Sequence, residues 1–176
     1  MKNLLLTRLK RAALSKSTPL PKLAMFSLIP MLLALASVLC APITTAAYQY
    51  QGPEAELIAI LNEERKAQGI PPINIDWELT RLARYKSEEM KNHQLFHHES
   101  LIYGNPEQLL DRFQVPYNQV GANIAMGHDT PHQVINAWLN SPGHKANMVA
   151  PIFKAAGVGV SLDDNGIPYW TLILVA

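Results

Sequence analysis

The sequence predicts an α+β fold: several amphipathic helices around a small, mostly antiparallel sheet. Three observations point there. Apolar residues recur at helical spacing over residues 54–68 and again over 77–92. Residues 158–162 and 168–175 are short strand-like runs, joined by Asp163-Asp-Asn-Gly166, which has the Asn-Gly turn chemistry of a hairpin. Val120 to Met126 reads as a third strand.

The amino-terminal part stands apart from this pattern. Lys2, Arg8, Lys10, Arg11, Lys16 and Lys22 form a basic stretch without Asp or Glu. An apolar run from Leu23 to Leu39 follows, broken by Ser27, Pro30 and Ser37, and Thr45 and Ala47 then suit a cleavage site before Tyr48. Basic, apolar and small residues in that order read as a secretory signal peptide over 1–47. The basic region is long, so the alternative is an uncleaved signal anchor. Against it, the run is shorter than the roughly 20 residues of a usual spanning helix and contains Pro30. Cys40 suggests a lipoprotein, but Leu39 precedes it where a small residue is expected. The expected location is extracytoplasmic (periplasm, cell envelope or outside the cell), with a membrane tether only through an uncleaved amino-terminal segment.

Residues 48–176 make one domain able to bury a core. That domain holds nine of the fifteen Lys and Arg and all fourteen Asp and Glu, so it is mildly acidic. Acidic surfaces argue against nucleic acid and against docking on anionic lipid. The single cysteine lies in the export segment, so stability in the domain comes from packing rather than disulfides.

The elements follow in order. Glu54 to Gln68 forms a helix with Leu57, Ile60 and Leu61 on one face; Pro53, Glu54 and Glu56 suit its start and Gly69 its end. Ile70-Pro-Pro72 is extended. Asp76 caps a helix from Trp77 to about Asn92, with a stripe of Leu79, Leu82, Ala83 and Met90. A short helix is expected from Pro106 to Phe113. Thr130-Pro-His-Gln133 opens another with a cap, a first-turn proline and a capping box; Val134, Ile135 and Trp138 form its buried side. Ser141-Pro-Gly-His repeats the device, so Ser141 is expected to cap a helix from Pro142 with His144 in the first turn. Gly157 and Gly159 alternate with Val158 and Val160, which means either a helix packed closely over the strand or a bulge.

Three segments carry a resemblance: Phe96-His-His-Glu-Ser100, Gly121-Ala-Asn-Ile-Ala125 and Trp138-Leu-Asn-Ser-Pro-Gly-His-Lys-Ala-Asn147. In this order they resemble the signature of the CAP superfamily, the SCP-like extracellular domain, in its bacterial form. The resemblance covers the whole exported domain. It implies a CAP-type α-β-α sandwich with helices on both faces of the sheet, and it places His98 and His144 as the two imidazoles of a central cleft. Ser141, Asn123 and Asn147 also fall at family positions there. Family members gather two acidic residues beside the histidines, and some bind a divalent metal. Here Ala122 and Ser141 stand at the two acidic positions. Firm zinc sites use three or four protein ligands. His98 and His144 alone therefore imply weak Zn2+ binding or none, and no general base unless Glu99 or Asp129 turns inward. Eukaryotic members generally carry disulfides, so the absence of cysteine from the domain also suits the bacterial branch.

Other constellations are weaker. His93-Gln-Leu-Phe-His97 has zincin spacing, but Gln94 replaces the Glu that would act as base, and the helix is expected to end before Phe96. No phosphate-cradling glycine loop and no nucleophile elbow is present. Asn123 and Asn147 are expected to bond backbone groups near the cleft. The favoured function is a non-enzymatic binding module taking a lipid, cell-wall fragment or protein ligand. The alternatives are a weak metal-dependent hydrolase and a structural envelope protein with a vestigial cleft.

Overall fold

The structure, a computed structural model, describes residues 52–176. The signal segment, Cys40 and the proposed cleavage site lie outside the described residues. Helix α1 (Pro53–Ala67) opens on Pro53 with Glu54 and Glu56 in its first turn, and Arg65 and Lys66 close it. Gly69 follows with φ 71°, a left-handed turn. Strand β1 (Asn74–Ile75) was not legible in the sequence, because two residues carry no period. Helix α2 (Trp77–His93) is capped by Asp76, whose carboxylate accepts from the Leu79 amide at 2.9 Å. It ends where Gln94 turns left-handed, φ 48°. Helix α3 (Pro106–Arg112) starts in a capping box between Asn105 and Gln108.

Strand β2 (Val120–Met126) and strand β4 (Pro168–Val175) match the expected bounds, and β3 (Ala155–Leu162) begins three residues before the expected Val158. Helix α4 (Pro131–Leu139) has the expected capping box, with both Thr130–Gln133 bonds present. Helix α5 (Pro142–Val149) begins at the expected proline. The β3–β4 connection is longer than a two-residue Asn-Gly turn. It runs over residues 163–167, with Asp163 Oδ1 accepting from the Asn165 and Ile167 amides and Gly166 left-handed.

The sheet order is β1-β3-β4-β2: β1 lies parallel to β3, and the other two pairings are antiparallel. Alternation along β4 sorts the two cores. Trp170, Leu172 and Leu174 face a cluster with Leu57 and Leu61 of α1, Val134 and Trp138 of α4 and Met148 of α5. Ile173 faces the opposite side, against Leu79, Leu82 and Ala83 of α2 and Leu109 and Leu110 of α3. The domain is thus an α-β-α sandwich with α2 and α3 on one face and α1, α4 and α5 on the other.

Of the two explanations for Gly157 and Gly159, close helix packing is the one observed. A Cβ on Gly157 would lie 2.0 Å from the Thr80 backbone nitrogen, and one on Gly159 would lie 2.2 Å from that of Arg84. Helix α2 therefore rests directly on the bare backbone of β3. Beside it, Ser87 Oγ reaches both the Gly159 carbonyl at 3.0 Å and Thr171 Oγ1 at 2.9 Å.

Candidate functional site

The expected site residues come from opposite layers. His98 lies five residues past the end of α2, in a loop held to that helix by buried polar groups. Lys86 and Glu89 pair at 2.9 Å with both side chains about 5% exposed. Glu89 also accepts from Ser100 Oγ at 2.7 Å and the Leu101 amide at 3.1 Å. Lys86 Nζ also donates to the Glu99 carbonyl at 2.6 Å. Burial pushes the Glu89 carboxyl up, but the hydrogen bonds from Lys86 and Ser100 and the Lys86 charge outweigh it, leaving it below its ordinary value. A buried ion pair with its remaining positions filled fixes a geometry more than it adds stability. What it fixes here is the peptide carrying His98.

Sequence reasoning missed this network, although a signal was present. Leu79, Leu82, Lys86 and Met90 share one helical stripe, so Lys86 occupies a place where an apolar residue belongs. An ionisable residue inside such a stripe, with an acid three positions on, marks a buried pair.

His144 comes from the other layer, in the first turn of α5. Its carbonyl accepts from Asn123 Nδ2 at 3.0 Å, and Asn123 is wholly buried. Asn147 Nδ2 bonds the Ala122 carbonyl at 3.3 Å and Asn123 Oδ1 at 2.9 Å. These two amides therefore lash α5 to β2. Trp138 Nε1 makes a further bond from α4 to the Ile124 carbonyl, 2.9 Å. Trp138 is buried among apolar neighbours, with its ring centroid 6.5 Å from that of His144.

The two imidazoles meet. His98 Nε2 and His144 Nε2 are 3.5 Å apart and the ring centroids 5.6 Å. Both rings are held below the ordinary histidine value. For His98 the causes are burial of the ring, then the neighbouring His144, His97 and Lys86; for His144 the cause is burial. His98 as a whole remains open to water and His144 is half-buried, so the imidazole pair lies at the solvent-facing mouth of the cleft. Ala122 and His98 border a common small cavity with Lys86, Ser100 and Ile124. Alanine thus leaves space, rather than a carboxylate, beside the first imidazole.

Several expectations need correction or limits. Ser141 does not cap α5 with its hydroxyl: its backbone is extended as an N-cap should be, but no side-chain cap bond forms. Pro142 removes one donor from the first turn, and Pro142 and Gly143 are exposed, so water reaches the remaining N–H groups. Ser141→Ala should accordingly change stability by less than about 0.5 kcal/mol, against about 1 kcal/mol for a true cap; a thermal melt of the purified chain measures it. Glu99 and Asp129 are exposed. The zincin-spaced pair is divided by the end of α2 after His93, and His97 Nδ1 instead accepts from the Glu99 amide at 3.2 Å. Among the described residues no cluster of three or more His, Cys, Asp or Glu is placed to hold a metal. Among them, too, no helix is long and apolar enough to cross a membrane.

Comparison with known proteins gives a consistent picture. A family model described as CAP, the cysteine-rich secretory protein family, matches residues 58–174. The chain is similar to YkwD of Bacillus subtilis, 40% identical over 119 residues that make up 68% of this chain and 44% of YkwD. Among solved structures it is similar to an extracellular protein containing a SCP domain from Bacillus anthracis, with TM-score 0.63 and 27% identity over 70% of this chain and 40% of that one. An outer surface protein of Borrelia burgdorferi shares the fold, with TM-score 0.64 and 22% identity over 69% of this chain and 90% of that one. The chain spans less than half the length of the first two.

Proposed function

This chain belongs to the CAP family of cysteine-rich secretory proteins, and on that premise we propose that it is an extracytoplasmic binding module, not an enzyme, whose ligand enters the cleft bearing His98 and His144. The observation that carries the reading is the imidazole pair, 3.5 Å apart, in a cleft whose acidic position is Ala122. Two rings held toward neutrality offer hydrogen bonds and coordination. They offer no carboxylate base to activate water, and Glu99 and Asp129 face solvent. The ligand classes that suit such a cleft are a lipid, a cell-wall fragment or a protein segment. Extracellular and outer-surface relatives support the location outside the cytoplasm.

The donor set also bears on metal. One ion at the roughly 2.0–2.1 Å of a Zn–N bond could touch both Nε2 atoms across 3.5 Å. Water would complete the shell, since no third protein ligand stands near among the described residues. Such an ion would be held weakly. Calorimetric titration of the purified chain with Zn2+ should show affinity weaker than micromolar, abolished by His144→Ala. Submicromolar binding through the same residues would contradict the reading.

The functional test sets the chain against peptide and cell-wall substrates with and without a chelator. No turnover is expected in either condition. Chelator-sensitive turnover that disappears in His144→Ala would replace the binding module with the second reading, a metal-dependent hydrolase.

A further inference from the structure

A small hollow lies beside His98, where Ala122 leaves space. Its floor is Leu109, Ile124, Thr171 and Ile173, all buried. Its rim is Ala122, Gly104 and Pro106, which are half-buried, and the exposed His98. The hollow therefore opens to water at its rim. His98 is shared between that rim and the imidazole pair, its Nε2 lying 3.5 Å from that of His144.

The polar groups along the wall are already engaged. Lys86 Nζ donates to Glu89 and to the Glu99 carbonyl, so what it adds to the hollow is its aliphatic stem. Ser100 Oγ donates to Glu89 and accepts from the Ile102 and Tyr103 amides. Thr171 Oγ1 accepts from Ser87 Oγ. A water molecule settles in a cavity when two to four polar groups hold it. This wall does not supply that set, so an apolar group suits the hollow better than water or a charged oxygen.

Size decides which apolar group. The hollow is about 10 Å³, room for one methyl-sized group and not for an acyl chain. At the rim the chemistry changes, because a neutral imidazole offers one donor and one acceptor. An amide offers the same two and complements it. We propose, on the binding-module reading above, that the ligand is held by a methyl group beside an amide. The methyl enters the hollow next to Ala122, and the amide meets His98 at the rim. An acetamido sugar and an alanyl peptide both carry this group, and a fatty acyl chain does not. Ala122 sets the size limit, since a larger side chain there would fill the space.

The test is an NMR titration of the full chain, ¹³C-labelled at its methyl groups, in metal-free buffer. The probes are acetamide, propionamide, butyramide and hexanamide, which keep the amide and lengthen the apolar part. Acetamide should shift the methyl resonances of Leu109, Ala122, Ile124 and Ile173 and the ring signals of His98. The shifts should weaken from butyramide onward. An open apolar groove would do the reverse, binding about fourfold tighter with each CH2 buried. Ala122→Val fills the hollow and should abolish the acetamide shifts while the melting temperature holds or rises. Should that variant fold poorly, Ala122→Gly widens the hollow and should move the preference from acetamide to propionamide.

N-acetylglucosamine and alanyl-alanine separate the two sources of the group: shifts with either support the assignment and identify the source. Diffuse shifts, affinity that climbs with chain length, no shift with either of those two compounds, or acetamide shifts that survive Ala122→Val would overturn the proposal. If a cell-envelope ligand were still bound and lost with His144→Ala, the binding-module reading would survive that result. Chelator-sensitive turnover beside intact acetamide shifts would overturn the binding module alone.

Discussion

Gly157→Ala is expected to destabilise the domain by about 3 kcal/mol, at the upper end for overpacking. The added Cβ would sit 2.0 Å from the Thr80 nitrogen and 2.1 Å from the Leu79 carbonyl carbon. Both are backbone atoms of α2, so no side chain can swing aside to relieve the clash. The helix must lift off β3, and lifting it disturbs the buried contacts of Leu79, Leu82 and Ala83 with Ile173. The loop carrying His98 hangs from the far end of the same helix, so the cleft should loosen as well. Gly143→Ala is the control. Gly143 lies inside α5 with nothing within 4 Å of an added Cβ, so that substitution should be neutral or gain up to about 1 kcal/mol through helix propensity. Chemical denaturation of the two variants measures the difference. A Gly157→Ala loss below about 0.5 kcal/mol would show that α2 can move away at little cost, contrary to this account.

Arg65→Met should cost about 3–5 kcal/mol, the scale for removing one side of a buried charged interaction. Arg65 is fully buried, and its guanidinium donates to four carbonyl oxygens: Pro71 at 2.9 Å, Met148 at 2.8 Å, Ala150 at 2.9 Å and Phe153 at 3.1 Å. Burial lowers its affinity for the proton from the usual arginine value. Methionine fills much of the same space and supplies no donor, so four carbonyls would lose a partner in a dry environment. Arg65→Lys should recover only part of the loss, because an ammonium lacks the planar fork that reaches several carbonyls at once. Two of the four carbonyls belong to the end of α5, the helix that carries His144 in its first turn. Amide exchange over residues 142–150 should therefore quicken in Arg65→Met beyond what global unfolding accounts for. A melting transition within about 1 kcal/mol of the parent would mean that water takes over these carbonyls.

The legibility of the fold varied with the kind of signal. The starts of the proline-opened helices and the bounds of β2 and β4 could be placed to within a residue or two, because caps, prolines and alternation act locally. Strand β1 was invisible, since its two residues are strand only by pairing with Ala155 and Ala156. Ser141 shows the converse: the cap sequence was present and the helix began there, yet the hydroxyl bond did not form at a solvated helix end. The glycine pair left two explanations open, and only the approach of α2 to β3 chose between them.

The candidate site divides in the same way. His98, His144, Asn123 and Asn147 could be singled out through the resemblance of their segments to the family signature. The Lys86–Glu89–Ser100 network and the Arg65 cluster could not, because their partners lie up to 88 residues away or belong to a loop without regular structure. What the sequence determined by itself was what neighbours along the chain fix: helix starts, strand-like runs and an acidic domain without cysteine, with the loss of a carboxylate at Ala122 read from the family resemblance. What only the tertiary structure decided was convergence. Two imidazoles separated by 46 residues reach 3.5 Å because two layers close over the outer edge of one strand. No local preference encodes that distance; it is set by how the buried faces of the helices settle against the sheet.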